Sequence, residues 1–122
     1  MADPVPRVGA VVINVNDLER STTFWRELLG VGVAREVPGF FVWLAPQHEG
    51  GVSVALQLVA DRKAGRNRVH LDTGVADLDE AQARVEALGG SLVETHEIMG
   101  FTWRVMADPE GNEFCIASEH PA

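Results

Sequence analysis

The chain has 122 residues, enough for one domain with its own core, and its 46% apolar and 23% charged content excludes a disordered tail or a fibrous rod. Ten Lys and Arg against eighteen Asp and Glu leave a net charge of −8, which disfavours nucleic acid and anionic membrane as partners and favours neutral or cationic ligands. A single cysteine, Cys115, excludes an intrachain disulfide framework, and the absence of a leader pattern in residues 1–6 or of any bilayer-length apolar run points to a soluble, cytoplasmic protein.

The first predicted element is a strand over residues 11–15, Val-Val-Ile-Asn-Val, rich in β-branched side chains. Asn16 with Glu19 three positions on resembles a helix-capping box, so a helix is expected from about Leu18. Leu18, Trp25, Leu28 and Leu29 form its apolar face, and Gly30 supplies the left-handed residue that ends it. Strands are then expected over residues 31–36, 40–44 and 52–59, the last two separated by turn residues 46–51. Residues 61–67, polar and containing Gly65, read as a linker.

The same layout returns 60 residues later: Asp17-Leu18 aligns with Asp77-Leu78, Leu28 with Leu88 and Gly30 with Gly90. A strand is expected over residues 68–73, with Arg68, His70 and Asp72 on one face and Val69, Leu71 and Thr73 on the other, apolar face. Asp77 and Glu80 open a helix whose face is Leu78, Ala81, Val85 and Leu88, and Gly89-Gly90 stops it. Strands over residues 91–97, 101–106 and 113–117 follow, the last two joined by the turn Asp108-Pro109-Glu110-Gly111-Asn112. The chain thus reads as one domain, residues 1–122, made of two β-α-β-β-β modules at about 8–60 and 68–117.

A tandem repeat of this length, with Asp17-Leu18-Glu19-Arg20 ahead of Phe24-Trp25 and Leu28-Leu29-Gly30, resembles the vicinal oxygen chelate superfamily, which includes glyoxalase I, bleomycin-resistance proteins and extradiol dioxygenases. Asn67-Arg68-Val69-His70-Leu71-Asp72 and Ala107-Asp108-Pro109-Glu110-Gly111-Asn112-Glu113-Phe114-Cys115 are similar to its glyoxalase-like branch. The resemblance implies an α+β fold in which the modules form a curved eight-stranded mixed sheet, with helices on the convex side and a ligand cleft on the concave side. It also implies homodimers and, in catalytic members, a divalent metal held by His, Glu or Gln from the first and last strands of each module.

The corresponding positions are Ala10, Gln57, His70 and Cys115. Ala10 has no donor, the Gln57 amide is a weak one, and a Cys115 thiolate suits zinc but not magnesium. No resident metal is therefore expected, and one held at the family site would rest on His70 and Gln57. A shift of two residues, which keeps the strand face, would offer Glu113 instead of Cys115, but near a hairpin tip a solvated carboxylate is expected.

The sequence shows no Gly-rich phosphate loop, nucleophile elbow or His-Glu-x-x-His helix. The expected function is binding of a small molecule, cationic or planar, between the aromatic walls Phe41, Trp43, Phe101 and Trp103. Gln57, Arg68, His70 and Asp72 are its polar anchors, with Cys115 as a buried thiol beside them. The competing reading is a metal-dependent lyase, isomerase or dioxygenase of the same superfamily with an unusual ligand set.

Overall fold

A computed structural model of the chain describes residues 5–118, so residues 1–4 of the segment read for a leader lie outside the described residues. The chain divides between Ala60 and Asp61 into two compact units. The first contains β1 (Ala10–Val15), α1 (Leu18–Leu29), β2 (Val33–Val37), β3 (Phe41–Leu44) and β4 (Ser53–Leu58). Its sheet runs β1-β4-β3-β2, with β1 parallel to β4 and the other neighbours antiparallel. The second contains β5 (Leu71–Val75), α2 (Leu78–Ala87), β6 (Ser91–Ile98), β7 (Phe101–Ala107) and β8 (Glu113–Ser118), in the equivalent order β5-β8-β7-β6. Two helices and eight strands in two mixed four-stranded sheets make an α+β fold. Among the described residues no helix is long and apolar enough to cross a membrane.

Both helices start on an aspartate. The Asp17 and Asp77 carboxylates accept the backbone N–H of Arg20 and Glu80, each at 2.9 Å, satisfying a donor that the first helical turn leaves unpaired. The Asn16–Glu19 box expected from the sequence is thereby displaced by one residue: Asn16 instead donates its amide to the Val59 carbonyl at 3.0 Å, tying the end of β1 to the residue after β4. Gly30 closes α1 in the left-handed conformation at φ 68°. In α2 the cap is Leu88, with the left-handed residue one further on at Gly89.

The helices bury one stripe each against their own sheets. In the first unit Ser21, Phe24 and Trp25 of α1 are buried together with Val15, Val42, Leu44 and Leu56. Phe24, absent from the face drawn from the sequence, meets Trp25 edge to face at 5.3 Å and is as buried as its neighbour. In the second unit Val85 is buried with Met106, Phe114 and Ile116. The Asp108 carboxylate sits buried in the β7–β8 turn and accepts the N–H groups of Glu110 and Asn112 and the Asn112 amide, at 2.8 to 3.0 Å. The Asp108 side chain thus closes the turn by local bonding to the backbone two and four residues on.

Two expectations need correction. The strand expected over residues 68–73 begins only at Leu71, and Val69, assigned to an apolar face, is 79% exposed in a bend before it. The segment read as a linker is also bound into the second unit. Arg66 Nε donates to Glu113 at 2.6 Å, a second Arg66 nitrogen reaches Glu94 at 2.5 Å, and the Asn67 backbone N–H donates to Glu113 at 2.8 Å. This clasp ties residues 66–67 to Glu113 at the start of β8, and the chain reaches β5 through the bend at residues 68–69.

Candidate functional site

Strand alternation sorts the second unit's side chains into a helix face and an open face. On β7, Arg104 points to α2, where it donates to Gln82 and Asp79 at 2.9 Å each, so Phe101 and Trp103 project from the opposite face. On β8, Phe114 and Ile116 are core, while Glu113, Cys115 and Ala117 share the open face. The parallel register sets Asp72 beside Cys115, and His70, two residues earlier, follows Asp72 onto the same face.

A cavity of about 970 Å³ opens on this face, at the upper end of the range that holds drug-sized ligands. Its lining joins His70, Asp72 and Cys115, from β8 and from β5 and its approach, to a wall of Ile98, Phe101 and Trp103 from β6 and β7. His70 Nε2 lies 3.1 Å from an Asp72 oxygen, and donor atoms of His70, Asp72 and Cys115 all fall within 4.8 Å of one another. Cys115 is buried, whereas Asp72 and His70 are exposed. Burial raises the Cys115 thiol above its ordinary range, and the charge and hydrogen bond of Asp72 raise it further. At neutral pH this is a protonated thiol, unsuited to act as a nucleophile.

The wall is a row of rings. Trp103 stacks with Phe101 at 5.6 Å and 28° between planes, and with His96 of β6 at 5.1 Å and 19°. His96 in turn lies 3.3 Å from Glu94. Among the described residues lining the cavity, Asp72 is the one carboxylate and there is no Lys or Arg. Residues 61–122 carry twelve Asp and Glu against six Lys and Arg, so −6 of the net −8 lies in the second unit.

Of the residues singled out from the sequence, His70, Asp72, Phe101, Trp103 and Cys115 meet in this one cavity. Arg68 is exposed in the bend before β5 and is not among the lining residues. Phe41, Trp43 and Gln57 belong to the first unit. Phe41 and Trp43 lie 4.1 Å apart, on the face of β3 opposite the buried Val42 and Leu44. The Arg35 guanidinium stands 4.8 Å over the Trp43 ring, so a cation from this chain already takes that ring face. Gln57 pairs with Asn14 on β1 and Phe41 on β3. Sequence reasoning missed Ile98 and His96, whose cross-strand position opposite Phe101 and Trp103 depends on the β6–β7 register.

The β1–β4 and β5–β8 registers bear on the four strand positions where the resemblance implies metal donors. Cys115 pairs with Asp72, and 60 residues earlier Val12 pairs with Ala55. Ala55 is therefore the first unit's counterpart of Cys115, and Gln57, opposite Asn14, is the counterpart of Ala117, opposite Gly74. With Ala10 and Ala55 at the matching places, the first unit offers no donor there, and the residues present do not fit the family's metal set. Glu113 is no substitute. It is 9% exposed rather than solvated at a hairpin tip, and it is fully engaged by Arg66 and Asn67. Burial alone would raise its carboxyl, but the Asn67 N–H and the Arg66 guanidinium outweigh that and hold it below the ordinary carboxylate range.

The sequence matches the family described as glyoxalase-like domain over residues 10–117. It is similar to Glyoxalase 1 of Caenorhabditis briggsae, at 26% identity over 129 residues, covering 97% of this chain and 44% of that protein. The chain thus spans less than half the length of that curated relative. Among solved structures it is similar to a glyoxalase/bleomycin resistance protein/dioxygenase family enzyme from Burkholderia phytofirmans PsJN, with TM-score 0.76 and 18% identity over 93% of this chain and 98% of that one. It is also similar to lactoylglutathione lyase from Agrobacterium tumefaciens, with TM-score 0.68 and 20% identity over 94% and 95% of the two chains. Likeness at these identities establishes the fold and not the activity. With the family match running through both modules and the β-α-β-β-β topology present twice, the chain belongs to the glyoxalase-like domain family of the vicinal oxygen chelate superfamily.

Proposed function

We propose that the protein binds a flat, cationic small molecule in the cavity of its second module. The observation that carries this reading is the make-up of the cavity: a row of stacked rings centred on Trp103, with Asp72 as the one lining carboxylate and no lining Lys or Arg among the described residues. A ring system laid on Trp103 gains contact area from a rigid surface, and a positive charge gains from both the ring quadrupole and Asp72. The missing donors at Ala10 and Ala55 favour binding over the metal-dependent chemistry of catalytic relatives.

Isothermal titration of the purified protein with two three-ring probes of similar size, proflavine as the cation and 9-anthracenecarboxylate as the anion, tests this. One proflavine per chain, bound at least about tenfold more tightly than the anion, is expected from one favourable rather than unfavourable charge contact. Equal or tighter binding of the anion, or no saturable binding of proflavine, overturns the reading.

A further inference from the structure

Each module sets a tryptophan on the third of its strands, Trp43 on β3 and Trp103 on β7, 60 residues apart. Each tryptophan has a basic side chain as its register partner on the neighbouring edge strand: Arg35 of β2 for Trp43 and His96 of β6 for Trp103. In the first module the pair is a cation over a ring, with the Arg35 guanidinium 4.8 Å from the Trp43 centroid. In the second the imidazole stacks on the indole, with centroids 5.1 Å apart and 19° between planes. Arginine keeps its charge in a folded protein at any pH, whereas histidine changes charge between about pH 5 and 8. The same fold position thus holds a permanent cation in one module and a conditional one in the other.

We infer that His96 is a proton-operated release element for the ligand site: neutral, it leaves the Trp103 ring to a cationic ligand, and protonated, it occupies that ring as Arg35 occupies Trp43. A protonated imidazole on the indole takes up part of the ring quadrupole and repels a second cation. This regulation rests on the reading of the cavity as a site for a flat cation. The groups around His96 hold their charges while it changes. Glu94 lies 3.3 Å from His96 Nε2 and also accepts from Arg66, and these two contacts, Arg66 first, hold its carboxyl below the ordinary range. Arg66, bonded to Glu94 and Glu113, stays positive, and Glu113 stays ionised because Asn67 and Arg66 outweigh its burial. Glu97, next along β6, alternates to the opposite face, and Arg104 of β7 points to Asp79 and Gln82 of α2. The His96 side chain is 40% exposed, so solvent protons reach it. The one other imidazole among the described residues of the cavity lining is His70, beside Asp72 and the protonated Cys115 thiol, and the experiment must therefore remove it.

The test is calorimetric titration with proflavine, which stays cationic throughout, at about pH 8 and about pH 5.5, the limits of the histidine range. The ratio of the two Kd values is read within each protein, so a change in affinity common to both pH values drops out. In His70→Gln, acidification is expected to weaken the dye about 3- to 10-fold. In His70→Gln/His96→Phe, which keeps a ring beside Trp103 and removes the proton, the two Kd values are expected to agree within about twofold. His96→Arg, made in the otherwise wild-type chain, installs the first module's fixed cation and should bind about 3- to 10-fold more weakly than wild type already at about pH 8. Circular dichroism at both pH values checks that each variant is folded. Equal affinity at the two pH values in His70→Gln, a fall that persists in the double variant, or wild-type affinity in His96→Arg overturns this inference and leaves the ligand reading standing. Absence of saturable proflavine binding to the wild-type protein at about pH 8 overturns the ligand reading, and this inference with it.

Discussion

Replacing Trp103 by alanine is the perturbation that bears most directly on the cavity. Trp103 is the middle ring of the row, with His96 at 5.1 Å and Phe101 at 5.6 Å, so it offers the largest flat surface in the wall. Stacking a flat ligand on one aromatic side chain contributes about 1–3 kcal/mol. Phe101 remains as a neighbouring wall in the variant, which places the loss in the lower part of that range, an increase in proflavine Kd of about 5- to 30-fold at 1.4 kcal/mol per tenfold. Trp103 is only half-buried, so its removal destabilises the fold by less than the roughly 3–5 kcal/mol of a fully buried aromatic. The variant should therefore still be folded at 25 °C. Titration calorimetry is the appropriate assay, because tryptophan fluorescence would change through loss of the reporter itself. A Kd within twofold of the wild type in a folded variant would show that the ligand does not lie on this wall.

Asp72→Asn is expected to weaken proflavine while leaving 9-anthracenecarboxylate unchanged or stronger, read by the same titrations. It also removes the carboxylate that raises the Cys115 thiol beyond the effect of burial, so iodoacetamide alkylation at fixed pH should become faster, as followed by mass spectrometry. Glu113 gives a pH dependence of stability. Its folded carboxyl titrates below the ordinary value of 4.5, so the clasp contributes fully above about pH 4.5 and is lost as pH falls through the folded value. Glu113→Ala should cost about 1–3 kcal/mol at pH 7 and flatten the acid limb of a urea-unfolding series. Asp77→Ala, which strips the α2 cap, should cost about 1 kcal/mol in the same assay, with no effect on proflavine at the cavity.

Much of the scaffold was legible because it depends on local chemistry. The two capping aspartates, the left-handed Gly30 and the Asp108 turn each solve a problem within a few residues of themselves, so spacing alone revealed the β-α-β-β-β order and its repetition. What escaped depends on partners far away in sequence. Arg68 and Val69 alternate correctly for a strand, yet the pull of Glu113 on Arg66 and Asn67, 46 to 47 residues away, holds the approach to β5 as a bend. Gln57 aligned with Cys115 by position along the last strand of each module. Only the pairings Val12–Ala55 and Asp72–Cys115 show that the true counterpart is Ala55. Likewise His96 joins the aromatic row through a cross-strand pairing that no pattern within β6 announces.

The two modules separate what the fold requires from what a site requires. Both keep the parallel pairing of first and last strands and an aspartate-capped helix, with an aromatic or aliphatic residue of that helix in the core: Trp25 in one, Val85 in the other. Their open strand faces differ. Where the second module sets Asp72 beside Cys115, the first sets Val12 beside Ala55, and where the second leaves Trp103 as a cavity wall, the first covers the Trp43 ring with its own Arg35. The pair Val12 and Ala55 carries no ionisable group, whereas in the second module burial, and then the charge and hydrogen bond of Asp72, raise the Cys115 thiol. That ionisable pair, present in one copy only and lining a cavity with aromatic rings, is what the proposed ligand site of the second module rests on.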